Sequence, residues 1–190
     1  MGKPVYEAIV IGGSWGGMDA VIQLIKPLPK LYPIPIIVVI HRKKNVKSSL
    51  CDILSKYTVL TVKEVDEKEV ISAGTIYIAP ANYHVFIEQD KTFSLDVSPD
   101  VLYSRPSIDV LFESAALVYK DTLIGIILTG ANADGSLGLN KISEKKGLTI
   151  VQDPTEAVID IMPKAAIMKG PVDHVLSLKR IQELLLYVIR

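Results

Sequence analysis

Ala8-Ile9-Val10-Ile11-Gly12-Gly13-Ser14-Trp15-Gly16-Gly17-Met18 is the stretch on which the fold turns. The unbroken apolar run Ala8–Ile11 reads as a strand covered on both faces, because a half-exposed strand would alternate apolar with polar residues. The glycines that follow permit a sharp turn that side chains would obstruct. Apolar residues at 18, 21, 22, 25 and 28 then recur at helical spacing over Met18–Leu28. Strand, tight turn and helix in direct succession open a βαβ unit.

The same order recurs outward from this start. Ile36–Ile40, Thr75–Ala79, Leu123–Leu128 and the shorter Thr149–Val151 read as further buried strands. Helical patterns occupy Ser48–Leu54, Ile108–Val118, Gly138–Lys146, with Gly147 as cap, and Lys179–Val188. The alternation predicts an α/β fold: a doubly wound, mostly parallel sheet with helices on both faces. His84–Glu88 and Thr92–Val97, joined by Gln89-Asp90-Lys91, break the rhythm and predict an antiparallel β-hairpin insertion grafted onto the sheet. No repeat or linker interrupts the chain, so residues 1–190 are expected to form a single domain.

Composition narrows the function. The 21 basic residues balance 21 acidic ones, which argues against a nucleic-acid binder. Cys51 is the single cysteine, so an internal disulfide and a cysteine-rich zinc site are excluded. The run Ile34–Ile40 is far too short for membrane insertion, and the N-terminus lacks a signal-peptide pattern. A cytoplasmic location is expected.

Ligands of open parallel sheets bind beyond the carboxyl ends of the strands. Three reactive side chains follow strands there. Gly12-Gly13-Ser14-Trp15-Gly16 contains Gly-x-Ser-x-Gly between strand and helix, the pattern that lifts a serine hydroxyl out of a sheet. The same glycines also suit a phosphate loop or a plain tight turn. A dinucleotide fingerprint is excluded from Gly12, because Ser14 stands where its second glycine belongs. His41 directly follows the second strand; it is either a base for the serine or a structural histidine. Asp134 lies in Thr129-Gly130-Ala131-Asn132-Ala133-Asp134-Gly135, after the strand Leu123–Leu128. It can orient His41, or it can form an Asp-Gly turn or a helix cap. Asp109, Asp153 and Asp160 are rival acids without a long apolar strand directly before them.

Taken in order, these landmarks resemble the CheB-type protein-glutamate methylesterases. The serine loop Ile11–Gly17, His41, Leu128-Thr129-Gly130 with Asp134-Gly135, and Tyr77-Ile78-Ala79-Pro80 with His84 carry the resemblance. Arg105-Pro106-Ser107-Ile108-Asp109-Val110-Leu111-Phe112, Gln152-Asp153-Pro154 and Met162-Pro163 extend it over nearly the whole chain. The resemblance implies hydrolysis of glutamate γ-methyl esters, and deamidation of glutamines, on the cytoplasmic helices of a methyl-accepting chemotaxis receptor. It implies Ser14 as nucleophile, His41 as base and then acid, and Asp134 as orienting acid, with no metal and no organic cofactor. Trp15, Gly16, Gly130 and Ala131 are the expected substrate-facing residues, with Arg42 beside them; His84 is either a further substrate contact or a structural or surface histidine.

Several positions depart from the family pattern. Trp15 replaces a small polar residue, Ile40-His41-Arg42-Lys43 replaces Gln-His-Met-Pro, and Ala131-Asn132 replaces Met-Gly. The family usually carries an N-terminal phospho-receiver domain, whereas this sequence opens at the first catalytic strand. Either such a domain belongs to a longer chain, or the enzyme stands alone and a separate phospho-receiver protein is its expected partner. Arg42, Lys43, Lys44 and Lys47 are either a solvated face or a patch that steers an acidic helix. Arg105 and Ser107 are weaker candidates for substrate contact, and Ser107 also suits a helix cap. His174 reads as structural. Two other functions stay open: a serine hydrolase of the same fold acting on another small ester or amide, and a catalytically idle regulatory module.

Overall fold

β1 (Ala8–Gly13) is buried along its whole length, and its unbroken apolar run resolves into two alternating faces. Ala8 and Val10 enter one hydrophobic core, and Ile9 and Ile11 enter the other. The structure, a computed structural model, describes residues 5–41 and 49–189. After β1 come α1 (Gly17–Ile25), β2 (Ile36–Ile40), α2 (Leu50–Ser55), β3 (Thr61–Glu64) and β4 (Thr75–Ile78). A hairpin of β5 (His84–Ile87) and β6 (Phe93–Asp96) precedes α3 (Ile108–Tyr119). The chain continues through β7 (Leu123–Ile127), α4 (Ser136–Glu144), β8 (Leu148–Gln152), α5 (Ile161–Lys169), β9 (His174–Leu176) and α6 (Leu178–Tyr187).

Among the described residues, seven strands form one parallel sheet in the order β3-β4-β2-β1-β7-β8-β9. One face is covered by α3, α4 and α5 through Leu111, Phe112, Leu139, Ile142 and Met162. The other is covered by α1, α2 and α6 through Val21, Leu24, Leu54, Ile181 and Leu185. The predicted doubly wound architecture is thus present. Strand order reverses between β1 and β7, which opens a crevice at their carboxyl ends.

The hairpin forms its own two-stranded antiparallel sheet instead of extending the main one. Val85, Ile87 and Phe93 bury it in the core shared with α3, and Phe93 meets the Tyr77 ring edge-on at 4.9 Å. β3 and α5 escaped the sequence reading, whereas β9 falls where a terminal strand is expected after the turn that ends at His174. β3 is a short edge strand with half of its residues exposed, so it lacks an apolar run. Pro163 in the first turn of α5 disguised a helix, although proline is tolerated there. β9 is only three residues long. Ser48, the predicted start of the second helix, lies outside the described residues.

Candidate active site

Ser14 and His41 follow directly on Gly13 and Ile40, which are register partners in adjacent strands. The His41 N–H donates to Gly13 O at 3.1 Å, and the Ser14 N–H donates to Thr129 O at 3.0 Å. The ends of β1, β2 and β7 are therefore laced together. Gly16 caps α1 at φ 79°, in the left-handed region that favours glycine. A side chain there would also meet Val158 at 2.9 Å. A Cβ on Gly130 would lie 3.0 Å from Ser14 Cβ, so glycine at this position keeps room beside the serine.

Asp134 is fully buried and satisfies four donors. Its Oδ2 accepts from His41 Nε2 at 2.7 Å and from the Ile108 N–H at 2.8 Å. Its Oδ1 accepts from the Ser107 hydroxyl at 2.8 Å and the Asp109 N–H at 3.0 Å. The carboxylate thus sits on the N-terminus of α3, where unpaired amides and the helix dipole favour negative charge. Burial alone would push its pKa up. The His41 hydrogen bond, the Asp109 and Ile108 amides and the His41 charge outweigh burial, and hold it below the usual carboxylate range.

With Nε2 committed to Asp134, His41 keeps Nδ1 as its free nitrogen. Ser14 Oγ, on a half-buried residue, makes no hydrogen bond to it. Ser104 Oγ instead lies 3.4 Å from Nδ1. The imidazole itself is about one-tenth exposed, so the base is open to a ligand through a narrow face.

The remaining expected residues divide. Trp15 is exposed beside the serine, and Ala131 is exposed in the aspartate loop. Thr129 Oγ1 lies 3.0 Å from Trp15 O and accepts from the Ile159 N–H at 2.9 Å, which ties the serine loop to the loop before α5. The expected substrate contact by His84 is not what the structure shows. His84 is fully buried, Nδ1 accepts from the Ser107 N–H at 3.2 Å, and Nε2 donates to Pro99 O at 3.1 Å. It braces the cap of α3 and offers no free nitrogen. Arg42, with Lys43, Lys44 and Lys47, lies outside the described residues. Arg105 donates to Val97 O and Ser98 O, and so clamps the loop ahead of α3. His174 is exposed on β9, three strands from β1.

The rival acids have other duties. Asp109 Oδ1 accepts from the Gly138 N–H at 2.7 Å, Asp153 caps a turn at Thr155, and Asp160 pairs with Lys164 at 2.6 Å. Ser107 is the N-cap that the sequence allowed, but its bond to Asp134 was not legible. Ser104 was not singled out at all; a lone serine in a loop carries no signal in sequence. Among the described residues no group of three or more metal-ligating side chains is assembled. No helix among them is long and apolar enough to cross a membrane.

Comparison with known proteins agrees with this fold. The family model described as CheB methylesterase matches residues 9–185. A putative protein-glutamate methylesterase/protein-glutamine glutaminase of Leptospira interrogans is 52% identical over 94% of this chain and 93% of its own length. Protein-glutamate methylesterase FrzG of Myxococcus xanthus is 36% identical over 94% of the chain, but the match spans only 53% of FrzG. The crystal structure of the Thermotoga maritima CheB methylesterase catalytic domain superposes with a TM-score of 0.91 at 36% identity, covering 96% of this chain and 98% of that one. A match running from the strand before Ser14 to the closing helix, in sequence and in fold alike, places the chain in the CheB methylesterase family.

Proposed function

We propose that the protein hydrolyses glutamate γ-methyl esters on the helices of chemotaxis receptors through Ser14, His41 and Asp134. The observation that carries this reading is the 2.7 Å bond from His41 Nε2 to Asp134, made at the switch point where Ser14 leaves β1. A buried carboxylate on Nε2 fixes the tautomer that presents the Nδ1 lone pair as a base. Ser14 Oγ attacks the ester carbonyl as its proton passes to Nδ1. The tetrahedral intermediate expels methanol, which takes that proton, and leaves an acyl-enzyme. Water, deprotonated by Nδ1, then releases glutamate and restores Ser14. Attack on a glutamine amide follows the same course and releases ammonia.

The oxyanion needs donors that nothing else occupies. Gly17 N–H is taken by Ser14 O, and Gly130 N–H by Ile159 O. The N–H groups of Trp15, Gly16 and Ala131 have no hydrogen-bond partner among the described residues. They are the donors assigned here: Trp15 and Gly16 from the serine loop, Ala131 from the aspartate loop. Exposed Trp15, Val158 and Ile161 supply an apolar rim for the substrate helix. Regulation by a separate phospho-receiver protein is part of the same proposal. Several relatives are about twice as long as the matched segment, as FrzG is.

The test is methanol release from a methylated receptor fragment. Ser14→Ala is expected to lower turnover by about a million-fold. Release at the wild-type rate from that variant contradicts the scheme.

A further inference from the structure

We propose that Ser104 is a positioning residue that holds the base at rest, its hydroxyl occupying the Nδ1 lone pair that Ser14 must use. The inference rests on the Ser14–His41–Asp134 reading and deepens it. With the Nε2 proton directed at Asp134, an uncharged imidazole has one lone pair left, on Nδ1. Ser104 Oγ is 3.4 Å from that atom, while Ser14 makes no hydrogen bond to it. Two serines therefore compete for one acceptor, and in the resting arrangement the wrong one holds it. Ser104 transfers no proton; it only has to turn its O–H away before Ser14 is activated.

The segment that carries Ser104 is strained at its tip. Val101 and Ser104 exchange backbone hydrogen bonds of 3.1 and 2.9 Å, closing a two-residue turn. Its central residues, Leu102 and Tyr103, stand at φ 46° and 65°. Such a turn ordinarily takes glycine or asparagine, and a bulky side chain in the left-handed region is strained. Strain of this kind collects at functional sites. Both side chains are exposed, Tyr103 at 97%, so the tip can shift without opening the core. On its C-terminal side Arg105 anchors the turn to Val97 O and Ser98 O, which confines the motion to the segment facing His41. A partner that displaces the exposed Leu102 and Tyr103 would draw Ser104 off the base.

The test is the rate of covalent labelling by a small fluorophosphonate probe, which needs Ser14 activation but no receptor. Ser104→Ala is expected to label about two- to five-fold faster than wild type, the factor that one neutral hydrogen bond supplies. Ser104→Thr, which keeps the hydroxyl, is expected to return to the wild-type rate. Ser104→Ala labelling at or below the wild-type rate overturns the proposal, as does Ser104→Thr behaving like the alanine variant. A Ser14→Ala protein that still labels would overturn the triad reading itself, so the two failures are told apart.

Discussion

Four donors converge on Asp134, and their geometry makes its chemistry hard to replace. Each oxygen accepts two of them: His41 and Ile108 on one, Ser107 and Asp109 on the other. An asparagine would turn an N–H2 group toward two donors and leave them unpaired. Asp134→Asn is therefore expected to lose about 10⁴-fold in ester turnover through the wrong histidine tautomer. It should also lose about 1–3 kcal/mol of stability, read by urea unfolding. Ser107→Ala removes the hydroxyl's bond to Asp134 and the capping bond it accepts from the Val110 N–H, and leaves the amides on Asp134 in place. It should cost about 1 kcal/mol and a much smaller share of turnover. Turnover in Ser107→Ala as low as in Asp134→Asn would contradict this division of labour. Ser14, His41 and Asp134 were legible because each directly follows a strand or its loop. His84 stayed open between substrate contact and a structural role, because position after a strand does not reveal which way a side chain points.

At the scale of the element, α3 is the anchor of the site. Its N-terminus receives Asp134, and its own Asp109 is buried there with Oδ2 lacking a hydrogen-bond partner among the described residues. The two acids respond to pH with opposite sign. Asp134 is depressed, so its stabilisation is present above about pH 4 and is lost as pH falls through its folded value. Burial first, then the neighbouring Asp134 and Glu113 charges, push Asp109 up to about 6 against the opposing Gly138 amide. Between about pH 4 and 6 the unfolded chain releases this proton and the folded chain keeps it, so Asp109 destabilises progressively over that window. Relative to wild type, Asp109→Asn should gain about 2 kcal/mol between pH 4 and pH 7, flattening above 6, in urea titrations. A pH-independent difference would refute the buried charge. None of this was visible in sequence, where Ser107-Ile108-Asp109 signals a helix start but not which carboxylate docks on it. The strands β1, β2, β4, β7 and β8 were visible, because burial on both faces demands continuous apolar runs. β3 and β9 lie at sheet edges, where that demand is relaxed.

For the whole molecule, the parallel sheet serves to bring three loops to one crevice. β1, β2 and β7 are neighbours, so residues 14, 41 and 134 follow adjacent strand ends although 120 positions separate the first from the last. The family match extends the same ordering over residues 9–185. We propose that the hydroxyl of Ser14, and no other, becomes the nucleophile. Peptide mapping of the fluorophosphonate adduct by mass spectrometry tests it most directly. One adduct is expected, on Ser14, absent from Ser14→Ala and His41→Ala proteins. An adduct on Ser104, or receptor methyl-ester hydrolysis that persists when Ser14 is removed, would contradict it.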